Sequence, residues 1–420
     1  MKSYFDAETE AFRSTFRAWL VEHRPDPGEM AADPSLSTGH APEWARRWTR
    51  TLFDAGYLVP GWPPELGGRN ATPTQTLVEL IELARAKVPR TTNVQGLGIV
   101  APSIVDYGTA TQIAEYAMPI LHGEATACLG MSEPGAGSDL ASLRTRAVRR
   151  GDTFVVDGQK VWTSGANYAD FCFLFCRTDP DVPKHKGLSV LLVDMDTPGI
   201  TVRPLPEIVH PGRPDLNEVF FSSVEVPATH LVGAEGDGWA MANGSLAHER
   251  GMVWVSAVMG IDEAMARLLA EAPKRLAGLE PVERGLAADR VVRCAIDATA
   301  TRCLGYRGFA KLARGGTAPE QALMKLFSSQ TRQSVAGVAA DLAGAAGLAI
   351  DPGPLDGHLS IDEPQGTWLE QWFGSFANTI SAGTSEIQRN IIAERVLGLP
   401  REPRPAPAAP AASSTTDPNR

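Results

Sequence analysis

The pattern of apolar and polar positions divides the chain into a helical first third, a strand-rich middle and a helical final part. Phe12, Phe16 and Leu20 recur at helical spacing, and residues 76–86 carry a second apolar stripe of the kind found on one face of a helix. From about residue 125 the chain changes to short β-branched or aromatic runs separated by glycine-containing turns. Helical periodicity returns after Gly238.

Individual elements follow from these runs. The predicted strands lie at 154–157, 171–177, 188–193, 200–205 and 218–226, an arrangement typical of an antiparallel sheet or a small barrel. The predicted C-terminal helices lie at 241–271, 282–314, 319–346 and 385–396. We therefore predict an α+β multidomain chain with an N-terminal helical domain (1–124), a central antiparallel β-domain (125–234) and a C-terminal helical domain (235–400). Residues 401–420, rich in Pro, Ala, Ser and Thr, predict a disordered tail.

Composition limits the classes of function. The chain has 420 residues, of which 43% are hydrophobic, so it can bury more than one core. Its formal net charge of −10 argues against nucleic acid as a partner, because phosphate binding needs a basic face. Five cysteines without a Cys-x-x-Cys pair, and a start without the apolar stretch of a signal peptide, predict a cytoplasmic protein. The Ala- and Gly-rich run at 334–350 contains Asp341 and predicts a packed core helix rather than a membrane span.

Two glycine-rich stretches raise the question of ligand binding. Residues 96–101 (GLGIVA) resemble a dinucleotide fingerprint, but no apolar strand leads into them, so we interpret them as a helix with small packing residues. Residues 131–139 (MSEPGAGSD) contain a proline and two glycines that force a turn and expose backbone N–H groups beside the Ser132 and Ser138 hydroxyls. Such a loop can bind the edge of a flat heterocycle or a phosphate, and a plain turn is the alternative.

Two further segments carry candidate binding residues. Residues 160–165 (KVWTSG) follow a turn, and a strand here would place Trp162 and Ser164 on one face. The indole could then stack on a flat ring while the hydroxyl reaches the ring's edge, and a core tryptophan is the alternative. Residues 383–388 (GTSEIQ) open a helix with Ser385 and Gln388 at capping-box spacing, and a helix start after a glycine can also bind a pyrophosphate.

One carboxylate in the first long C-terminal helix is a candidate general base. Glu249 lies close to Ala247 and Met252, and a carboxylate on an apolar helical face is costly unless it is paired or used. A structural ion pair with Arg250 is the alternative. His248 has no second histidine at metal-binding spacing, so we predict no metal site.

Taken in order, these stretches resemble the acyl-CoA dehydrogenase family over nearly the whole chain, from about Phe12 to Pro400. The most specific motifs are the loop at 132–139 and the helix start at 383–389, supported by 158–162, 177–179, 217–220 and 231–239. The resemblance implies an N-terminal helical domain, a central β-domain and a C-terminal four-helix bundle. It also implies an FAD cofactor and an acyl thioester substrate carried by CoA or by an acyl carrier protein.

The resemblance implies roles for single residues. The flavin ring would be bonded by Ser132 and the backbone of Leu129 and Met131, packed on by Trp162 and reached at its N5 edge by Ser164. The substrate would meet Ser138, Ala382 and Arg250, and the FAD diphosphate would lie near Thr384 and Ser385.

The position of the base sets this chain apart from many relatives. Many members of the family place the catalytic glutamate directly before the Gly-Thr-Ser turn, where this chain has Ala382. A subset similar to isovaleryl-CoA dehydrogenase has alanine there and takes its base from a Glu-Arg pair on the first C-terminal helix. Glu249 and Arg250 match that subset, so the resemblance makes Glu249 the expected catalytic base.

Two other family features differ in this chain. The Arg-x-x-Phe-Gly segment, which contacts FAD from a neighbouring subunit, has no counterpart near 280–295, where Arg284 and Arg293 are only loose substitutes. The glutamine that precedes a glycine-rich turn in the family is Asp341 here. Such losses occur in family members that work as two-subunit heteromers.

The resemblance implies oxidation of an acyl thioester to the trans-2-enoyl thioester, with Glu249 taking the α-proton and a hydride passing to flavin N5. Expected partners are an electron acceptor such as an electron-transfer flavoprotein, and further copies of the chain in a dimer or tetramer or a related chain in a heteromer. Two alternatives remain open. One is a flavin oxidase or monooxygenase on the same fold, and the other is a partner subunit of a heteromeric acyl-CoA dehydrogenase.

Overall fold

The computed structural model describes residues 5–209, 213–316, 320–348 and 366–401, with the side chains of 245–253, 320–321 and 346 outside the description. A group of helices, a sheet and a second group of helices follow one another along the described chain, which confirms the predicted α+β architecture. Of the predicted tail at 401–420, Arg401 alone lies within the description.

The described N-terminal part contains seven α-helices, whose starts are set by capping residues. They are α1 (Ala7–His23), α2 (Pro27–Ala32), α3 (Glu43–Asp54), α4 (Pro73–Arg85), α5 (Ala101–Tyr107), α6 (Ala110–Gln112) and α7 (Met118–Leu121). The Asp6 side chain accepts a hydrogen bond from Thr9 N, and Thr72 forms a capping box with Gln75 in front of α4. Residues Gly96–Val100 form a π-helical turn that runs into α5, so the glycine-containing run is helical as predicted.

The central sheet has eight strands within the described residues. They are β1 (Ala127–Gly130), β2 (Arg146–Arg150), β3 (Thr153–Lys160), β4 (Phe171–Arg177), β5 (Leu188–Asp194), β6 (Ile200–Pro204), β7 (Asn217–Pro227) and β8 (Leu231–Val232). Their order is β6-β7-β3-β2-β4-β5-β8, with β1 beside β4. Most neighbours are antiparallel, as predicted, but β1 and β2 both run parallel to β4. The apolar pattern does not predict β1, β2 or β8, because β1 and β8 are short and β2 buries a single side chain, Ala147.

Alternation along β4 builds the core on both faces of the sheet. Phe171, Phe173 and Phe175 pack with the N-terminal helices, whereas Cys172 and Leu174 pack with β3 and β7. Burial on both faces explains why β4 is a continuous apolar run in the sequence. The sheet is therefore a rigid support for the loops that follow β1 and β3.

The described C-terminal part consists of packed helices. They are α8 (Gly238–Ala277), α9 (Pro281–Leu312), α10 (Glu320–Ala343), α11 (Trp368–Ser375) and α12 (Ser385–Ile391). α8, α9 and α10 pack against one another, and α11 adds Trp368 to their shared core. α8 extends beyond the predicted 241–271, and α10 ends before the predicted 346 because Gly344 takes a left-handed backbone. Among the described helices none is long and apolar enough to cross a membrane.

Candidate active site

The loop after β1 is a closed turn with an open outer side. Glu133 and Ala136 exchange two backbone hydrogen bonds of 3.0 Å across the Pro-Gly pair between them. A methyl group built on Gly135 or Gly137 would meet no atom within 4 Å, and Ser138 is exposed. The structure thus places the predicted turn at the surface, where Ser138 is accessible to a ligand.

A fully buried ion pair holds the start of this loop against the sheet. Lys160 Nζ donates to the Glu133 carboxylate at 2.9 Å and to the Met131 carbonyl at 3.0 Å. The same carboxylate accepts backbone hydrogen bonds from Arg144 (2.6 Å) and Thr145 (2.8 Å). Residues 131–133 are therefore bound to β3 and to the entry of β2 by four polar contacts.

The pair is stable only because its members compensate each other. Burial lowers the pKa of Lys160, and the charge of Glu133 opposes that shift. Burial alone would raise the pKa of Glu133, but the Lys160 ammonium and the hydrogen bonds from Thr145 and Arg144 outweigh it, so this pKa lies below its ordinary value. The carboxylate is accordingly ionised at neutral pH.

The sequence contains a signal for this pair that the motif analysis overlooked. Phe154, Val156 and Lys160 lie in the same phase along β3, and the first two are buried core residues. Period-two alternation thus points Lys160 inward. A lysine at an inward position needs a buried acceptor, which Glu133 provides.

The segment after β3 corrects one prediction. β3 ends at Lys160, so Trp162 and Ser164 do not share one face of a strand. Val161 N donates to the Ser132 carbonyl at 2.9 Å, and Trp162 then takes a left-handed backbone with φ of 59°, which is uncommon for a bulky residue. The indole is 60% exposed, which excludes the core-tryptophan alternative.

A buried amide explains why the strand stops there. Asn217 Nδ2 donates to the Thr163 carbonyl at 3.0 Å and to the Asp215 carbonyl at 2.8 Å. Gly165 N donates to the same Asp215 carbonyl at 2.8 Å. These bonds replace the regular strand ladder and fold residues 162–165 into an outward turn.

The N-terminal helical part covers the back of this turn. The Asp215 carboxylate accepts hydrogen bonds from Ser37 Oγ and from the backbone and hydroxyl of Thr38, all between 2.7 and 2.8 Å. The N-terminal loop that carries Ser37 and Thr38 also contacts the turn at 162–165 directly, because a Cβ on Gly39 would lie 2.1 Å from the Gly165 carbonyl oxygen. Nothing in the sequence predicts these residues as site residues, since the partners are about 177 positions apart.

The helix start near the C-terminus corrects a second prediction. The N-cap of α12 is Thr384, whose hydroxyl accepts a hydrogen bond from Ile387 N at 3.2 Å, so Ser385 and Gln388 do not form a capping box. Thr384 takes the cap because its backbone is extended, whereas Ser385 is already the first helical residue. Gln388 Nε2 instead donates to the Ala382 carbonyl at 3.3 Å.

The turn before α12 is a left-handed pair anchored to α10. Ala382 and Gly383 have φ of 51° and 89°. Lys325 Nζ on α10 donates to the carbonyls of Gly383 and Asn378, both at 2.8 Å. Alanine rarely adopts this backbone, so the surrounding contacts hold Ala382 in place.

The predicted base lies on α8, about three turns after the helix begins at Gly238. The helix is continuous through positions 249 and 250, but the side chains of Glu249 and Arg250 lie outside the described residues. On one side of this stretch, Ala242 packs into the core formed by the sheet and N-terminal helices; on the other, Trp254 packs against α4. Position 249 is two turns from Ala242 and shares its helical face.

The structure brings part of the predicted set together. Met131, Ser132 and Trp162 lie on adjoining segments linked by the Val161–Ser132 hydrogen bond, and Leu129 packs partly buried beneath them at the end of β1. Ser164 is partly buried two residues beyond Trp162. Thr384, Ser385 and Ala382 belong to the turn held by α10. An exposed indole on a segment joined to the loop after β1 fits a flat heteroaromatic ring such as a flavin.

The described C-terminal helices show the contacts of the residues that stand where the family has its Arg-x-x-Phe-Gly segment and its glutamine. Arg284 donates to the Leu279 carbonyl at 2.9 Å, and Arg293 pairs with Asp289 on the same helix at 2.7 Å. Asp341 on α10 pairs with Arg290 of α9 at 2.6 Å. Each of these side chains is engaged within its own chain.

Comparison with known proteins covers nearly the whole chain. Residues 6–124, 128–224 and 236–397 match the family models of the N-terminal, middle and C-terminal domains of acyl-CoA dehydrogenases. The chain is 36% identical to acyl-CoA dehydrogenase IpdE1 of Mycobacterium tuberculosis, over 94% of this chain and 99% of that protein. It is 40% identical to acyl-CoA dehydrogenase FadE34 of the same organism, over 83% of this chain and 46% of that protein.

Two similar solved structures contain two components. One, described as the Tcur3481-Tcur3483 steroid ACAD, is 30% identical with a TM-score of 0.78, over 96% of this chain and 100% of that chain. The other, the ChsE4-ChsE5 complex from Mycobacterium tuberculosis, is 29% identical with a TM-score of 0.75, over 96% and 100% of the two chains.

Proposed function

Because this chain belongs to the acyl-CoA dehydrogenase family, we propose that it removes two hydrogens from the α and β carbons of an acyl thioester and uses FAD to do so. The family membership confirms the resemblance seen in the sequence and makes the chain a flavin-dependent oxidoreductase. The product is the trans-2-enoyl thioester. Retention of the Ser-Glu-Pro loop and Trp162 favours dehydrogenation over an oxidase or monooxygenase reaction.

One observation carries the proposal: the Ser132 carbonyl accepts a hydrogen bond from Val161 at 2.9 Å, directly before the exposed Trp162. This contact joins the segment that ends at Ser132 to the segment that carries the exposed Trp162, which supports a common site for both. We propose that these amides and the Ser132 hydroxyl bond the flavin ring, while Trp162 packs on it and Ser164 meets its N5 edge. We assign Thr384 and Ser385 to the FAD diphosphate, where the start of α12 favours an anion.

The bound flavin supplies the hydride acceptor for the β-hydrogen. This chain's own residues must then remove the α-proton and stabilise the charge that develops on the thioester oxygen. We propose Glu249 as the base, with Arg250 beside it. An α-proton is too weakly acidic for a solvated carboxylate with an ordinary pKa near 4.3, so the base of this reaction needs an apolar setting that raises its pKa.

The turn at Ala382 is suited to stabilising the charge that develops on the thioester oxygen. A backbone N–H needs no side chain to donate a hydrogen bond, so alanine can replace glutamate there without loss of the oxyanion donor. Lys325 holds the neighbouring Gly383 carbonyl at 2.8 Å, and such preorganisation is what an oxyanion donor requires. Ser138, exposed on the loop after β1, is assigned to the pantetheine side of the substrate.

We propose that each predicted domain contributes a different part of the site. Residues 1–124 support the back of the Trp162 turn, residues 125–234 supply the ring contacts, and residues 235–400 supply the base and the Ala382 turn. For the substrate we propose a bulky, steroid-derived acyl-CoA, because a similar solved structure is described as a steroid acyl-CoA dehydrogenase. For the electron acceptor we propose an electron-transfer flavoprotein.

Anaerobic titration of the purified yellow protein tests the reaction. A steroid side-chain acyl-CoA should bleach the flavin absorbance, whereas butyryl-CoA and palmitoyl-CoA should bleach it far more slowly. Bleaching by the straight-chain thioesters alone would keep the dehydrogenase function and reject the steroid class. A protein that gains no flavin from excess FAD, alone or with a related partner chain, would reject the function itself. Rapid reoxidation in air, followed by stopped flow, would indicate an oxidase.

A second candidate function is that of one subunit of a heteromeric acyl-CoA dehydrogenase. Arg284, Arg293 and Asp341 are all engaged within this chain, which leaves no counterpart among them for the family's contacts to a neighbour's FAD. Two similar solved structures are two-component assemblies. Expression with and without a related chain distinguishes the cases: a heteromer should gain flavin and activity only when both chains are present.

A further inference from the structure

The contact between Lys160 and the Met131 carbonyl joins a charged side chain to a main-chain oxygen. The Lys160 ammonium group is fully buried and lies 3.0 Å from this main-chain oxygen. The Glu133 carboxylate, at 2.9 Å, would neutralise Lys160 without this second bond. The bond to the carbonyl is therefore not needed for charge neutralisation, and its effect must be sought in the peptide group that joins Met131 to Ser132.

Peptide geometry gives the direction of the next amide. In a trans peptide the carbonyl of one residue and the N–H of the following residue point in opposite directions. Because Lys160 lies in the buried interior, the Met131 carbonyl points inward. The Ser132 N–H consequently points away from Lys160 and from the buried interior.

The ammonium group also changes the strength of that donor. A cation bound to a carbonyl oxygen polarises the peptide and makes its N–H a stronger hydrogen-bond donor, and this effect is larger in a buried setting. Neutral partners at the same position would orient the peptide but would not polarise it in this way.

We propose that Lys160 is a positioning residue of the flavin site, which holds the Met131 carbonyl inward and so aims and strengthens the Ser132 N–H as a donor to the bound ring. This inference rests on the proposed function, because it requires the flavin ring to lie against residues 131–132. Glu133 acts one step further away, by keeping the ammonium group charged and in place.

The experiment separates this role from simple structural pairing. Lys160→Met removes the charge and the carbonyl contact at similar length, but it also leaves Glu133 buried without its cation, which destabilises the fold. The double variant Glu133→Gln with Lys160→Met removes both charges, and the amide oxygen of the introduced glutamine can still accept one of the two backbone bonds, from Arg144 or from Thr145. The matched control is Lys184→Met, since Lys184 binds Asp139 of the same loop at 2.7 Å through an exposed pair.

Each protein, in its purified assembly, is measured in three ways: FAD affinity of the apoprotein by fluorescence quenching, the visible spectrum and midpoint potential of the bound flavin, and thermal unfolding. We expect the double variant to regain most of the thermal stability that Lys160→Met loses, yet to bind FAD roughly tenfold more weakly, the effect of losing one good hydrogen bond. Its visible bands should shift and its midpoint potential should become more negative. Lys184→Met should match the wild type in FAD affinity, spectrum and potential.

Two results would overturn the proposal. If the double variant recovers both stability and wild-type flavin properties, Lys160 serves only to pair with Glu133. If a folded Lys160→Met binds FAD with wild-type affinity, spectrum and potential, the carbonyl contact has no influence on the ring. In both cases the flavin assignment itself survives, whereas a wild-type assembly that takes up no FAD would reject the proposed function together with this inference.

Discussion

Three glutamates show how surroundings decide what a carboxylate does in this chain. Glu133 is buried with a cation and two backbone donors, and its pKa is lowered. Glu79 on α4 is completely buried, and neither of its carboxylate oxygens has a hydrogen-bond partner. Glu249 lies on α8 and is the proposed base. For Glu133 and Glu79 the residue type is the same, and the local donors and charges make the difference.

The role of Glu249 can be tested by removing its basicity at constant size. Glu249→Gln should slow flavin reduction by substrate by about 10²–10⁴-fold, the usual contribution of general-base catalysis, and leave FAD binding nearly unchanged. Stopped-flow absorbance measures the rate. The control is Glu263→Gln on the same helix, where Glu263 forms an exposed pair with Lys87. Reduction of flavin by Glu249→Gln at near wild-type rate would require another base, and loss of folding would favour the ion pair with Arg250.

Glu79 should make the protein less stable as the pH rises. Burial raises the pKa of Glu79 from 4.5 to about 8, against the opposing charges of Arg90 and Arg69. Below pH 4.5 the group is neutral in folded and unfolded states alike and has no effect on stability. Between pH 4.5 and 8 the unfolded chain ionises first, so this group lowers the free energy of unfolding by about 1.4 kcal/mol per pH unit.

Glu79→Gln should therefore raise Tm at pH 8 and have little effect near pH 4.5, as measured by thermal unfolding at both values. Glu82→Gln on the same helix is the contrasting variant. The Glu82 carboxylate is bonded by Arg17 and Arg85 at 2.9 Å, so its loss should lower Tm at pH 8. An unchanged Tm of Glu79→Gln at pH 8 would show that the carboxylate has a compensating partner.

Among the elements, the turn at 162–165 shows how distant segments impose a local conformation. Its hydrogen bonds run to Asp215 and Asn217, and Asp215 in turn binds Ser37 and Thr38 of the N-terminal part. We expect Asp215→Ala to lower Tm by several degrees, because three donors lose a charged acceptor, and to weaken FAD binding because the turn loosens. Asp196→Ala, at an exposed position before β6, is the control.

Differential scanning fluorimetry and FAD titration would measure the two effects of Asp215→Ala. A variant that loses stability but binds FAD as well as the wild type would show that the Trp162 turn keeps its shape without the N-terminal loop. A variant that keeps both properties would show that the carboxylate bonds contribute little.

At the scale of the whole molecule, α9 presents an apolar face to solvent. Val282, Leu286 and Ile296 lie on one face of the helix and are 76%, 66% and 61% exposed. Exposed apolar stripes of this kind usually mark contact with another chain. We therefore expect an oligomer, and light scattering should give a mass of at least twice the 44.9 kDa of one chain.

Ile296→Glu should shift the measured mass towards the single chain, because a charge at the centre of an apolar interface is costly to bury. Val21→Glu, at an equally exposed apolar position on α1, should leave the mass unchanged. A wild-type mass near 45 kDa in a fully active sample would contradict the oligomer, and a mass that rises only with a related chain present would favour the heteromer.

The sequence by itself determined the order of the helical, strand-rich and helical regions, the longer strands and the candidate motifs. Helical periodicity, glycine-containing turns and the continuous apolar runs of β4 and β5 are local properties, since they depend on residues a few positions apart. The same holds for the turn at 132–139 and for the start of α12. In combination, these motifs are specific enough to identify the family from the order of residues alone.

Only the tertiary structure decided how the candidate site is held. Lys160 reaches Met131 across 29 positions, and Asp215 reaches Thr38 across 177. The strand does not continue to Trp162 because Asn217 donates a hydrogen bond to the carbonyl of the next residue, Thr163, which is 54 positions away in the sequence. Periodicity shows which face of an element is apolar, but a hydrogen bond between distant segments depends on the packing of the whole chain. Such bonds turned a predicted strand into an exposed turn.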